Sequence, residues 1–557
     1  MAAPQRVADE RHSGTLDFDT ASPRYATRWA WLLAATAIIP TALAGLAAVR
    51  APRIHVLLDY WHVLTKITND DGSLIPGELF SYHLDQPFLV PSLLFWADAA
   101  WFGGDNRALT VLTVLLAVAM VALLVSMLPA TLTPIKRAAL GAGFTFLILS
   151  SHAMELWVQA TNGISWIPAV FFSVLAIALA HRGQLWPAFL AAALGCLCFG
   201  AAFPVWFALS LILWLRRSPR LAVVIPGAIG ILVIGFWFAT KPAGGQSLAT
   251  TAFDPDGRLS TMAAAVGGLW SADLALAAII AGGLTITALT LLATTTIHAR
   301  ATQSVEASAE AGWIGLGAYA LALAVMLALG RTSSSVPGGN VGLISRYVIV
   351  AALATCAVLV LITRRRPAWP TRYVVAMTLT LALATHAIGG AKAAAVQRDY
   401  APLRLAEIAL RVNAPATLNA LRIQPAAIPA ATALRAYPFT DDFTLSCHEH
   451  ELGGQLPLNT AIPLPLPGAP GTDHGVIDTP LAADTILSGW ASLTGAAGDC
   501  VLVTDRNGTI IGAGITGLDH PSAAATGWHA VAPPGATELH VLVLKSGQAY
   551  QLQPPTK

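Results

Sequence analysis

Residues 29–49 read WAWLLAATAIIPTALAGLAAV, twenty-one positions without a charged side chain. At about 1.5 Å of rise per residue a helix of that length crosses the ~30 Å hydrocarbon core of a bilayer. The polar leader before it carries Arg6, Arg11, Arg24 and Arg28, as an enlarged signal peptide would. A signal h-region runs only about 7 to 15 residues, so the stretch reads as an uncleaved first span, although Ala42 to Ala48 fits a cleavage site loosely. Further apolar runs follow at 108–128, 138–154, 166–180, 185–215, 221–239, 274–297, 313–329, 347–361 and 373–388. The run 185–215 is long for one helix and short for two, but both of its ends are basic, with His181 and Arg182 before it and Arg216, Arg217 and Arg220 after it. Basic residues collect on the cytoplasmic side, so both ends belong there and the run reads as a hairpin with its tip near Gly200 to Pro204. The expected fold class is an α-helical polytopic membrane protein of about eleven transmembrane helices.

Composition agrees. Only 11% of the chain is charged and 55% is hydrophobic, against roughly 25% charged in a soluble globular protein, so a water-soluble enzyme is excluded. A net charge of +2, with the arginines in short clusters between apolar runs, gives no basic patch for nucleic acid. With the hairpin, Lys136, Arg137, Arg182, Arg216 to Arg220, Arg300 and Arg364 to Arg366 all fall on the cytoplasmic side. The expected organisation is a cytoplasmic tail over 1–28, a transmembrane domain over 29–390 with a long first outer loop at 50–107, and an external β-rich domain over 391–557.

Within that last region Pro402 to Ala414 reads as a short amphipathic helix. Alternating stretches at Val501–Thr504, Ile510–Gly514, Glu538–Leu544 and Ala549–Gln553 read as strands, with Asn507–Gly508 as a hairpin turn. A small antiparallel β-sandwich is expected. Cys447 and Cys500 are the only cysteines of this region, and a lone pair suggests a disulfide if it faces an oxidising compartment.

Two outer segments exceed ordinary loop length, 50–107 and 240–273, and function is sought there. The first holds seven of the thirty acidic residues, Asp59, Asp70, Asp71, Glu78, Asp85, Asp98 and Asp105, beside His55, His62 and His83. Asp59 follows the apolar Val56 to Leu58 and precedes Tyr60 and Trp61, which would hold it at the interface and partly desolvate it. A carboxylate so placed is suited to take a proton from a sugar hydroxyl; the plain alternative is that it caps a helix beginning at Tyr60. His83, Asp85 and Gln86 suit sugar hydroxyls or a divalent metal, though their spacing matches no recognised ligand signature. The stretch 87–102 is too short to span and suits an interfacial helix. Arg346 and Tyr347 stand where the chain re-enters the membrane, so Arg346 is suited to a phosphate at headgroup depth, or else simply snorkels toward lipid. Arg331 is a weaker version of the same idea. Glu155, Trp157, Gln159 and Asn162 read as a short outer loop. No phosphate-cradling glycine loop, HExxH motif or nucleophile elbow occurs in a credible context.

These residues resemble in pattern the multi-spanning glycosyltransferases of the GT-C superfamily, which use polyprenyl-phosphate-linked sugars. The likeness covers 29–388: an acidic residue just after the first helix, here Asp59 in LDYWH; the stretch YHLDQPFLVPSLLFWADAAWFGGD, similar to the H-N-E-H-R…P-R-L-L-F…F-G-G of uncharacterised bacterial members; and SRY at Ser345 to Tyr347 opening a late helix. The chain departs from that pattern at Gln86 and Pro87, where those relatives carry a second His-Arg pair. Its overall plan also looks like actinobacterial cell-wall arabinofuranosyltransferases, whose external domain resembles a carbohydrate-binding module.

What the resemblance implies is an inverting transferase in a bacterial plasma membrane, moving a sugar from a polyprenyl-phosphate donor to a glycan or glycolipid acceptor on the outer, periplasmic face. Asp59 would be the catalytic base. Tyr60, His62, His83, Asp85, Gln86, Arg346 and Tyr347 would bind substrate, and Trp490 and Trp528 would offer platforms for sugar rings or else fill the sandwich core. The rival classes are an envelope-lipid transporter or flippase, which calls for broken paired helices and two related halves, and a non-catalytic glycan-binding membrane protein.

Overall fold

The computed structural model describes residues 23–242, 255–302, 306–330, 339–445, 447, 449–466, 473–493, 498–521 and 526–554. Arg331 lies outside them, as does most of the tail expected over 1–28.

Among the described residues nine helices are long and apolar enough to cross a membrane. The first is broken into α1 (Pro23–Thr36) and α2 (Ile38–Val49). Pro40 lacks the N–H that would reach back four residues, and the Thr36 hydroxyl turns onto the Leu33 carbonyl at the break. The loop 50–107 then forms α3 (Leu58–Ile67) and the thirteen-residue α4 (Leu89–Trp101), a helix too short to span, where the interfacial one was expected. Next come α5 (Asn106–Ser126), capped by Asp105, then α6 (Pro134–Ile148), the short α7 (Met154–Val158) and α8 (Ala160–His181).

The run 185–215 is α9 (Leu185–Cys198) and α10 (Val205–Leu215), parted at Gly200–Ala202. Arg216 donates from Nη1 to the His181 carbonyl, so the chain leaves and returns at one level and the hairpin reading holds. Its fourteen-residue first arm is about 21 Å long, short of a full span. The remaining helices are α11 (Arg220–Thr240), α12 (Pro255–Gly267), α13 (Ala275–Ala301), α14 (Glu306–Gly330), α15 (Val348–Arg365) and α16 (Thr371–Tyr400).

Burial runs opposite to that of a soluble bundle. α8 and α15 are buried in one large core, whereas α11 and α13 turn Leu232, Phe236, Leu276 and Leu284 outward, each at least 67% exposed. Helices with so much outward leucine and phenylalanine need a hydrocarbon solvent, which makes this a multi-pass membrane protein.

Two expectations fail here. The segment 240–273 is not simply a polar loop: α12 wedges against α13, with Gly267 and Gly282 so tight against the facing backbone that a Cβ on either would lie under 2 Å from a carbonyl oxygen. Nor does the last helix end near Ile388; α16 runs unbroken through residue 390 to Tyr400 and leads by a single 3-10 turn into Ala406–Arg411.

The C-terminal strands are β1 (Ile462–Pro463), β2 (His474–Ile477), β3 (Leu487–Ser492), β4 (Cys500–Thr504), β5 (Ile510–Leu518), β6 (Thr526–Val531), β7 (His540–Lys545) and β8 (Gln548–Gln551). They form one eight-stranded sheet in the order β1-β8-β7-β4-β5-β6-β3-β2, antiparallel except for the β1–β8 pair, so the expected two-sheet sandwich is corrected to a single curled sheet. Period-two alternation gives it two apolar faces. Val501 and Val503 on β4, opposite Val543 and Val541, share an inner core with Ile477 and Leu487 from the far end of the sheet. The intervening Leu502 and Leu542 face the other way, into a second core built with Tyr60, Trp61 and Phe95 of loop 50–107 and with Leu405 and Ile408. The loop 50–107 and the C-terminal region are thus one packed unit at the end of the helix bundle. Arg53 bonds to Asp442 and the Tyr437 amide donates to the Gly103 carbonyl across that seam.

Candidate functional site

α3 opens at Leu58 with Leu57 in the cap position, so Asp59 sits in the first turn and does not cap. The helix is amphipathic: Tyr60, Trp61, Val63, Leu64 and Ile67 are buried in the core shared with the C-terminal region, and Asp59 is left half-exposed on another face. Tyr60 is therefore not a ligand group in this fold. Its ring stacks on His55 at 3.6 Å, its hydroxyl lies 3.4 Å from Asp98, and His55 in turn bonds to Asp98 at 3.0 Å. His62 also turns from the cavity, bonding through Nδ1 to Gln424 of the C-terminal region.

His83 and Gln86 exchange backbone hydrogen bonds of 3.0 Å, closing a two-residue turn over Leu84 and Asp85. Such a turn needs positive φ, and Leu84 supplies it at 56°, an uncommon conformation for a branched side chain. The turn aims His83 back at α3, with Nε2 3.1 Å from Asp59 Oδ1. Gln86 does structural duty instead: it donates to Asp85 and accepts from the Gly200 amide, clasping loop 50–107 to the hairpin tip.

Arg346 comes from the opposite side of the bundle, one turn before α15. Nη1 lies 2.5 Å from Glu155 Oε1, and the same carboxylate accepts from Tyr400 at 2.9 Å and Asn162 at 2.6 Å. Ser345 beside it accepts from the Glu155 amide. Glu155 is buried, so a set of donors converges on one carboxylate and fixes the guanidinium. The expected loop of Glu155, Trp157, Gln159 and Asn162 is instead the junction of α7 and α8, with all four buried. Tyr347 is buried too, its ring 5.1 Å from Trp166.

Asp59, His83, Asp85, Gln86, Arg346 and Tyr347 all line one cavity, together with Asn162, Trp166, the hairpin tip and the end of α14. Its volume is about 140 Å³, below the roughly 300 to 1,000 Å³ of a pocket for a whole drug-sized ligand, so it suits a single reacting centre. Burial acts to raise the Asp59 carboxyl, but His83 at contact distance and the charges of Arg346 and His62 outweigh it and hold it below the ordinary carboxylate range. His62 is pushed below the usual histidine value by burial and by repulsion from His83 and Lys66. Among the described residues no three His, Cys, Asp or Glu side chains converge as a metal site.

Away from the cavity, Cys447 and Cys500 are joined in a disulfide. Trp528 is buried in the inner core of the curled sheet, so of its two readings the core one holds and the sugar platform does not. Trp490 is half-buried, 6.2 Å from His520. Sequence reading named Glu155 only as a polar loop residue and missed Tyr400; nothing in the local pattern of either points to the other. Among known proteins, no family model, curated protein or solved structure matches this chain.

Proposed function

We propose that this protein is a membrane glycosyltransferase of GT-C type, with about eleven transmembrane helices and its cavity and C-terminal domain on the outer face. In this reading the acceptor hydroxyl of a cell-envelope glycan or lipid attacks the anomeric carbon of a polyprenyl-phosphate sugar from the face opposite the phosphate. The new glycosidic bond forms as the bond from carbon to phosphate oxygen breaks, with inversion. Asp59 takes the hydroxyl proton, and Arg346 stabilises the charge gathering on the departing lipid phosphate.

One observation carries the reading: a half-exposed carboxylate on the first loop and an arginine on the turn before α15 line a single cavity. The carboxyl's depressed affinity for protons suits a late transfer, when bond formation has already made the hydroxyl acidic. His83 would set the Asp59 orientation, and Glu155 would fix the arginine. Membranes bearing Asp59→Asn, supplied with a radiolabelled polyprenyl-phosphate sugar, test this; transfer at the unsubstituted rate removes Asp59 as the base.

A further inference from the structure

A second, larger cavity lies on the other side of Glu155. It is a groove of about 650 Å³ between α2 and α16, floored by α7, and it shares no lining residue with the cavity that holds Asp59. Along the helices its walls are apolar, from Leu43, Leu46 and Ala47 on one side and Ala387 and Gly390 on the other. At its outer end it meets a polar vestibule of about 240 Å³ roofed by the C-terminal region, and Arg50, Ala51, Pro52 and Arg404 line both.

That vestibule is cationic. Arg50, Arg53, Arg107 and Arg404 line it against Glu407 and Asp442. Arg53 pairs with Asp105 and Asp442, and Glu407 accepts from the Tyr437 hydroxyl while the charges of Arg404 and Arg53 act on it, so four guanidiniums face three carboxylates. Arg107 donates from Nε to the Ala51 carbonyl, which leaves its charge uncompensated there. Arg50 and Arg404 form no ion pair among the described residues, and both are exposed. A surplus of guanidinium at one end of an apolar trough within membrane-spanning helices is complementary to one class of molecule: an amphiphile with a phosphate head and a hydrocarbon tail.

We propose that this groove is a binding site for an anionic, phosphate-bearing membrane lipid, with its head between Arg50 and Arg404 and its tail between α2 and α16. The site goes beyond the sugar-transfer reading and does not depend on it. It also touches the other cavity. Tyr400 lines the groove and donates to Glu155, which holds Arg346, so an occupant presses on the residue that fixes the arginine across the wall.

The test uses the full-length protein in nanodiscs of phosphatidylcholine containing a minority of phosphatidic acid, with retained lipid counted by native mass spectrometry. The wild type is expected to enrich phosphatidic acid over phosphatidylcholine. R50A/R404A should lower that enrichment by about 25-fold, taking about fivefold for each basic side chain at an anionic lipid head. Gly390→Leu fills the trough without touching the arginines, since a Cβ there meets nothing within 4 Å, and it should also abolish retention. Arg422→Ala, an exposed arginine that lines neither cavity nor the vestibule, should leave retention at the wild-type level. The proposal is overturned if phosphatidylcholine is retained equally well, or if R50A/R404A retains wild-type amounts. It is overturned as well if G390L has no effect while the arginine pair does, because the site then reads a phosphate group alone.

Discussion

Arg346 and Glu155 are 191 residues apart in the chain and meet at 2.5 Å, on a carboxylate that Tyr400 and Asn162 also contact. Removing the carboxylate strands a largely enclosed guanidinium, whereas a neutral isostere keeps most of the hydrogen bonds. Glu155→Ala is expected to cost about 3 kcal/mol of stability, at the lower end for a buried pair because Arg346 keeps some access to solvent. Glu155→Gln should unfold close to wild type and, if the proposed transfer holds, raise KM for the donor more than it lowers kcat. Thermal unfolding in detergent together with transfer kinetics separates the two; an Ala variant as stable as wild type would show the pair to be unimportant.

The Asp59 carboxyl is held low by His83, Arg346 and His62 against burial, which pulls the other way. Because its folded value lies below the unfolded one, its contribution to stability is present above the ordinary carboxylate range and fades as pH falls through the folded value. Transfer that uses the ionised form should stay flat from neutrality down past the usual carboxylate range. His83→Phe removes the nearest opposing contact, so the acid limb should move upward in pH. A pH–rate profile of kcat/KM for both proteins checks this, and an acid limb that does not move would dissociate Asp59 from the rate.

Gln86 Oε1 lies 3.2 Å from the Gly200 amide, and a Cβ on Gly200 would fall 2.5 Å from the same oxygen. Gly200→Ala should therefore destabilise by about 1–3 kcal/mol, the usual cost of overpacking. Gln86→Ala alone should cost about 1 kcal/mol for the lost bond, and the double variant should be more stable than the sum of the two predicts. Strict additivity in a double-mutant cycle would mean that the clasp between loop and hairpin tip is not formed.

The Cys447–Cys500 bridge closes a loop with a sequence separation of 53, which in the chain-entropy account is worth about 4 kcal/mol. Cys447→Ser with Cys500→Ser, or addition of reductant, should destabilise the C-terminal region by that order, read as a lower unfolding temperature. Trp528→Ala should cost about 3–5 kcal/mol as a core deletion, while Trp490→Ala should cost far less. Differential scanning fluorimetry of the variants settles the ranking; equal losses for the two tryptophans would contradict the different burial of their rings.

Much of the bundle was legible because about twenty consecutive apolar residues have few other uses, and because the arginines bracketing 185–215 betray a return to the same side. The ends were less legible. α16 outruns its apolar stretch by twelve residues, since helix propensity in Ala391–Tyr400 continues after hydrophobicity stops. α12 was hidden because small residues such as Ala263 and Gly267 bury a helix by close approach, not by greasiness. In the sheet, alternation marks two faces for a sandwich and for a curled sheet alike, so strand pairing could not be read from it. Of the candidate site, Asp59, His83 and Arg346 could be proposed from chemistry and position. Glu155 could not, because its partners Arg346 and Tyr400 come from the far end of the chain.

The core that loop 50–107 shares with the C-terminal region imposes an order on biosynthesis. Trp61 and Phe95 emerge early from the ribosome, but the leucines that cover them, from Leu405 to Leu542, arrive more than 300 residues later. At roughly 5–20 residues per second that is an interval on the order of 20 s or longer. During it the nascent loop stands with its aromatic side chains uncovered beside the bilayer, so maturation of this core calls for a holding chaperone or a temporary seat in the lipid interface.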